Sequence, residues 1–275
     1  MVKDRQGVIA LLQERLTKPS PSATLSLTHF SGAGRAGVLD MSHLPFPSRE
    51  FVRNEVEHQW SLLASKISRV GPASLVTNPD DGVVGRVVRS GRQWESWMHQ
   101  YFIEYCDPNE ITLDVGANIG AHSLVMSGLA AQVHSFEPHP GNYALLERNV
   151  GHLGVICHQV ALGPRGEESL ISSPRTNHGM AELGASGDGA IRVRSIPLDS
   201  MSFDRRIGFM KIDAEKSEVG VLRGAMATIR DHQPVVILED QCNARKLLEL
   251  EGYQCRRIAL VDWLCIPTRR PSFSS

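Results

Sequence analysis

The sequence predicts an α/β protein built on an open, mostly parallel, Rossmann-like sheet, and two observations carry that prediction. From Ile111 onward, short apolar strand-like runs alternate with helical runs, the rhythm of βαβ units. The first run, Ile111-Thr112-Leu113-Asp114-Val115, ends in an acid and passes through the glycine-rich turn Gly116-Ala117-Asn118-Ile119-Gly120 into a helix.

Taken in order, Val8 to Leu16 can form a short amphipathic helix, and residues 17–50 are rich in Pro, Ser, Gly and Ala, so 1–50 is expected to be a flexible arm. Val52, Val56, Trp60, Leu63 and Ile67 recur at helical spacing and predict a packing helix from Phe51 to Ile67. Leu75-Val76-Thr77, the turn Asn78-Pro79-Asp80-Asp81-Gly82 and Val83 to Val88 predict a β-hairpin, and a lead-in helix follows from Trp94 to Tyr105. These elements make a segment 51–105 ahead of the main domain, 106–267, and a tail, 268–275. Within the domain we expect strand 111–115, helix 121–131, strand 132–137, helix 140–150, strand 155–160, strand 191–197, strand 208–213, helix 216–230, strand 234–239 and helix 243–251. Residues 164–190 interrupt the rhythm with glycines and serines, and read as a lid over the cleft or a surface loop.

Ligands of such sheets bind beyond the carboxyl ends of the strands, where Asp114, Glu137, Asp213 and Glu239 all fall. Gly116 and Gly120 let the backbone turn sharply and approach a ligand, with the free N–H groups of the next helix facing it. A carboxylate at Asp114 would repel a pyrophosphate but suits the ammonium of an amino-acid group, which S-adenosylmethionine (SAM) carries. Glu137 lies 23 positions beyond Asp114, the spacing of an acid that binds ribose hydroxyls. An NAD-dependent oxidoreductase is the alternative, against which stand Asp114 and the missing third glycine.

The chain resembles the FkbM-type methyltransferase family. The likeness rests on Asp114 to Ser123, Phe136-Glu137-Pro138-His139-Pro140-Gly141-Asn142-Tyr143, Asn149-Val150, Ala161-Leu162-Gly163, Pro197-Leu198-Asp199-Ser200, Lys211-Ile212-Asp213-Ala214-Glu215, Val221 to Ala225 and Pro234 to Glu239, in that order. It implies a SAM-dependent methyltransferase fold closed by an antiparallel hairpin, Tyr253 to Ile258 and Asp262 to Ile266. It also implies cofactor contacts at Glu95, Asp114, Gly116, Ala117, Asn118, Gly120, Ser123, Glu137, Pro138 and Ala161. Glu95, in Gly91-Arg92-Gln93-Trp94-Glu95, either helps close the cofactor pocket or only favours the positive end of its helix. Where the family usually has Asp-x-Glu-Gly-x-Glu, this chain reads Asp213-Ala214-Glu215-Lys216-Ser217-Glu218. Lys216 in place of glycine would narrow the pocket, change the acceptor or weaken catalysis, and a SAM-binding protein with little turnover is a second alternative.

The expected activity is O-methylation of a hydroxyl, less readily a carboxyl, on a small molecule, sugar or natural product. Methyl transfer to oxygen needs alignment of acceptor and methyl group and removal of a proton. Lys211 and Asp213 share a strand face, so Asp213 is assigned to bridge cofactor and acceptor, with Lys211 or Glu215 tuning the acceptor's proton. Glu239 and the loop residue His178 are acceptor-side candidates, His178 as a general base or simply a solvated side chain. Asp213, Glu215, Glu239 and Asp240 offer the oxygen ligands Mg²⁺ prefers, at a spacing that does not require a metal.

Composition agrees with one soluble domain. The 275 residues are 41% hydrophobic, enough for a sizeable core, and 29 basic against 30 acidic side chains give a net charge of -1, with no pull toward nucleic acid. No apolar run approaches a membrane span and no signal peptide is evident, so a cytoplasmic protein is expected. Its five cysteines form no Cys-x-x-Cys pair and are read as reduced thiols. The N-terminal helix and arm are candidate homodimer contacts.

Overall fold

The computed structural model describes residues 75–172 and 190–268, together with the short strands at 25–26, 38–39 and 182–183. The expected helices Val8–Leu16 and Phe51–Ile67 lie outside the described residues, as does His178. The N-terminal elements are β1 (Leu25–Ser26), β2 (Val38–Leu39), α1 (Val84–Arg89) and, after a 3-10 turn at Ser96–Met98, α2 (His99–Tyr105).

The chain divides into two compact units, Met1–Leu62 with Ser96–Glu104, and Leu63–Glu95 with Tyr105–Ser275. In the first, β1 and β2 pair antiparallel, Leu25 opposite Leu39. Trp97 and Tyr101 meet edge to face at 6.4 Å, as their helical spacing predicts.

The second unit begins with a correction, because residues 83–88 are not a strand. The Asp81 carboxylate accepts hydrogen bonds from the N–H groups of Val83 and Gly85, both at 2.9 Å, and so satisfies the first donors of α1. Arg89 closes the turn, donating to the carbonyls of Asn78 (2.7 Å) and Asp81 (2.8 Å). The turn chemistry of Asn78 to Gly82 is real, but a side chain that caps the following residues sends them into a helix.

The main sheet comprises β3 (Ile111–Val115), β4 (Gln132–Phe136), β5 (Ile156–His158), β10 (Ile207–Ile212), β11 (Val235–Glu239), β12 (Tyr253–Arg257) and β13 (Asp262–Pro267), in the order β12-β13-β11-β10-β3-β4-β5. β11, β10, β3, β4 and β5 run parallel, and β12 and β13 form the antiparallel hairpin at one edge. Every residue of β3 and β10 is buried, as expected of central strands covered on both faces. Strand order reverses between β3 and β10, which opens a crevice at their carboxyl ends. The helices are α3 (Ala121–Ser127), α4 (Pro140–Val150), α5 (Glu218–Arg223), α6 (Met226–His232) and α7 (Arg245–Leu250).

Three expectations are corrected here. The 191–197 run leaves the main sheet and, as β9 (Ile191–Ile196), joins a second sheet with β6 (Ala161–Leu162), β7 (Glu167–Ser172) and β8 (Glu182–Leu183). Its exposed Arg192 and Arg194 alternate with the buried Val193 and Ser195, the pattern of a half-buried antiparallel strand rather than a central parallel one. Part of the 164–190 insertion is therefore sheet. The single helix expected over 216–230 is broken into α5 and α6 at Gly224 and Ala225, where a Cβ on Gly224 would run into the Gly163 carbonyl. Asp199 caps the second piece, accepting from the N–H groups of Ala227 (3.0 Å) and Thr228 (2.8 Å). Finally, Cys255 and Cys265 are not reduced thiols. They are register partners across the β12–β13 hairpin, with Cα atoms 4.1 Å apart, and form a disulfide.

Candidate active site

The glycine turn and the end of β10 interlock. Gly116 has φ 79°, its N–H and that of Ala117 both donate to the Phe136 carbonyl at 3.0 Å, and a Cβ there would overlap the Asp213 carbonyl. Asn118, also left-handed at φ 53°, turns its N–H onto Glu137 Oε2 at 2.9 Å, while the His139 N–H donates to Oε1 at 2.8 Å. The Asn142 side chain is a third donor to this carboxylate. Burial pushes the Glu137 carboxyl up to about 7, against the pull of those N–H groups.

These residues border a cavity of about 220 Å³ at the crevice between β3 and β10. One wall holds Gly116, Ala117, Asn118, Glu137 and Pro138, and Ala161 lies in the apolar floor with Val115, Phe136, Val160 and Leu162. The other end is charged, with Lys211, Asp213 and Glu215. Nine residues singled out from the sequence thus come together.

At the charged end, Lys211 Nζ lies 3.0 Å from Asp213 Oδ2 and 3.8 Å from Asp114 Oδ1. Burial opposes the ammonium, but Asp213, Asp114 and Glu95 outweigh it and hold Lys211 charged. Burial would neutralise Asp213, yet the Lys211 charge keeps it ionised and below the usual carboxylate range. Glu239, at the end of the next strand, is raised first by its hydrogen bond with Asp213 and then by burial, so it carries the proton the pair shares.

Five residues assigned from the sequence, Asp114, Ser123, Gly120, Glu239 and Glu95, lie off the cavity wall. Asp114 is fully buried, accepting from Ser123 Oγ at 2.5 Å, and Ser123 in turn accepts from Ser135 Oγ at 2.8 Å. Gly120, φ 90°, begins α3 behind the turn. Glu239 is joined to the cleft by its hydrogen bond with Asp213. Glu95 is in a turn ahead of α2 rather than inside a lead-in helix. It stands at the edge of the cleft with Oε2 3.7 Å from His122 Nε2.

The sequence missed Val83, Val84, Trp94, Ala121 and His122, which also line the cavity. Ala121 and His122 follow directly on the glycine turn and could have been found from it. Val83 and Val84 carried no signal, because their segment read as a hairpin. Trp94 has two roles: it packs against the Leu75, Val84, Val88 and Ile119 cluster and lines the cavity. Lys216 is exposed and outside the lining, with φ 71°, a conformation that suits the glycine usual there and does not narrow the cavity.

Among the described residues no group of three or more His, Cys, Asp or Glu side chains is arranged to hold a metal. Asp240, one of the four expected oxygen ligands, instead accepts from the Ala244 N–H (2.6 Å) and from Arg245 (2.8 Å). No helix of the described residues is long and apolar enough to cross a membrane.

A family model described as a methyltransferase FkbM domain matches residues 114–255, just over half of the chain. The hexuronic acid methyltransferase AglP of Haloferax volcanii is 25% identical over 141 residues, 49% of this chain and 58% of its own length. The chain thus matches little more than half of that relative. Methyltransferase 1 of Beauveria bassiana is 26% identical over 205 residues, 60% of this chain and 82% of that protein. Among solved structures, an FkbM methyltransferase from Methylobacillus flagellatus superimposes with a TM-score of 0.43 at 16% identity, covering 75% of this chain and 60% of that one. Fibrillarin of Aeropyrum pernix, solved with S-adenosyl-L-methionine, gives 0.40 at 11%, covering 58% and 67%.

Proposed function

The chain belongs to the FkbM methyltransferase family, and on that premise we propose that it transfers a methyl group from SAM to a hydroxyl oxygen of a small molecule or sugar. The observation that carries the reading is the polarity of the cleft. At one end the Glu137 carboxylate, fixed by two backbone N–H groups and the Asn142 side chain, faces a ribose hydroxyl, and at the other an ionised carboxylate, Asp213, stands beside a fixed ammonium, Lys211. Between them lies an apolar floor.

The residues fit SAM. The turn at Gly116 carries no side chain, the floor at Phe136, Val160 and Leu162 suits a base, and the acids suit a cationic group. When bound, SAM supplies a methyl group made electrophilic by its sulfonium. The protein must align the acceptor oxygen with that carbon and take away a proton. Asp213 is assigned to accept a hydrogen bond from the acceptor hydroxyl. The hydroxyl proton becomes strongly acidic as its oxygen gains the methyl group, so a weak base such as Asp213 suffices to receive it. Lys211 keeps its proton, and so serves as a fixed charge that holds Asp213 ionised rather than as a base. Glu215, at the same end, is assigned to orient the acceptor. A relative named as a hexuronic acid methyltransferase keeps sugars within the acceptor class.

Calorimetric titration with SAM tests the reading, followed by a screen of hydroxylated acceptors that detects S-adenosylhomocysteine release. Binding that Glu137→Ala weakens about tenfold or more is expected. Failure to bind SAM, or displacement of SAM by NAD, would overturn the proposal.

A further inference from the structure

The amino-acid end of the cofactor brings an ammonium that needs a carboxylate within reach. Asp114, the acid the sequence nominates, has no exposed surface, and Ser123 Oγ occupies its Oδ2. Its Oδ1 lies 3.8 Å from the Lys211 ammonium, which is on the cavity wall and 2% exposed. An ammonium approaching Asp114 would have to take the place of that of Lys211.

Glu95 is placed differently. Its side chain is 29% exposed, and it sits between two lining residues, with Oε2 3.7 Å from His122 Nε2 and a side-chain hydrogen bond to Trp94. Its backbone is left-handed at φ 43°, a costly conformation for a glutamate that fixes where the carboxylate stands. Lys211 and Asp213 are near enough to act on its charge, so Glu95 belongs to the charged end of the cleft, away from Glu137.

Resting on the SAM reading above, we propose that Glu95, steadied by His122 and Trp94, takes the ammonium of the cofactor's amino-acid end, and that Asp114 acts from beneath as a positioning residue for Lys211. Burial pushes the Glu95 carboxyl up to about 7, with Asp213 and Asp262 adding to the rise and Lys211 opposing it. Docking of an ammonium stabilises the ionised form. Affinity for SAM therefore rises with pH through the neutral range, and His122, Lys211, Asp213 and Asp262 are the other charged or titratable groups that face this carboxylate.

The experiment is calorimetry on the intact chain, on Glu95→Gln and on Asp114→Asn, each with SAM and with 5′-methylthioadenosine, which keeps the adenosine and sulfur but lacks the amino-acid group. Glu95→Gln is expected to weaken SAM about tenfold or more while leaving methylthioadenosine within about twofold, which also shows that the variant folds. It should also flatten the rise in SAM affinity between about pH 6 and about pH 7.5. Asp114→Asn should weaken both ligands by similar factors. Unchanged SAM affinity in Glu95→Gln, or equal loss of both ligands, overturns the proposal with the cofactor reading intact. An intact chain that binds neither ligand sinks both.

Discussion

Single residues in the cleft are held against their solution preferences. Glu137 is 5% exposed and its carboxyl is raised from 4.5 to about 7. A raised acid favours the folded state fully below its unfolded pKa, and that contribution is lost as pH rises through the folded value, by about 3 kcal/mol at most for this residue. Stability is therefore expected to fall between about pH 5 and about pH 8. Chemical denaturation across that range should give a shallower slope for Glu137→Gln, and an unchanged slope would mean that Glu137 titrates normally. Lys216 pays in backbone strain instead, at φ 71°. Lys216→Gly should gain about 1 kcal/mol in the same assay, because it removes the conformational penalty and keeps the N–H bond to Glu218 Oε1 at 2.9 Å. A loss of stability would show that the exposed lysine side chain matters more than its backbone.

Among the elements, Asn149 joins pieces far apart in sequence. From the last turns of α4, its amide accepts from the Val76 N–H (2.7 Å) and donates to the carbonyls of Val76 (3.0 Å) and Ile119 (2.8 Å). The lead into α1 is thereby tied to the glycine turn, and the segment that follows, from Val83 to Trp94, supplies Val83, Val84 and Trp94 to the cavity. Asn149→Ala strands these groups and should cost about 2 kcal/mol. Hydrogen exchange should show the Val76 amide losing protection before the β3 amides do, whereas unchanged exchange at Val76 would remove Asn149 from this role. The hairpin expected over 75–88 shows why the element was misread: Asn78 to Gly82 carries correct turn chemistry, but the direction the chain takes afterwards depends on the Asp81 cap and the Arg89 clasp.

For the whole molecule, the order β12-β13-β11-β10-β3-β4-β5 puts the reversal of strand order at β3 and β10, so a ligand bound there touches the ends of the central strands. SAM at about 100 times its Kd should then stabilise the fold by about 2.7 kcal/mol. Thermal unfolding should shift upward with SAM and remain where it is with NAD, and a shift with NAD alone would reverse the cofactor assignment. The charged end of the cleft draws on α3, β10, β11 and the turn before α2, segments that are brought together only by the finished sheet.

The sequence by itself determined the α/β class, the position of the cleft and nine residues of its lining, because glycines, strand-end acids and apolar runs act through local backbone geometry. Strand ends aligned by a parallel sheet must converge, so Gly116, Glu137 and Asp213 could be placed together without coordinates. Only the tertiary structure decided that Asp114 is sealed beneath Lys211 while Glu95 reaches the cleft edge, since burial depends on which strands and side chains are laid over a residue. It likewise decided that Ile191–Ile196 pairs with Glu167–Ser172 and that Cys255 meets Cys265. Local propensity gives a strand without naming its partner, and the pairing follows from where the rest of the chain has already closed.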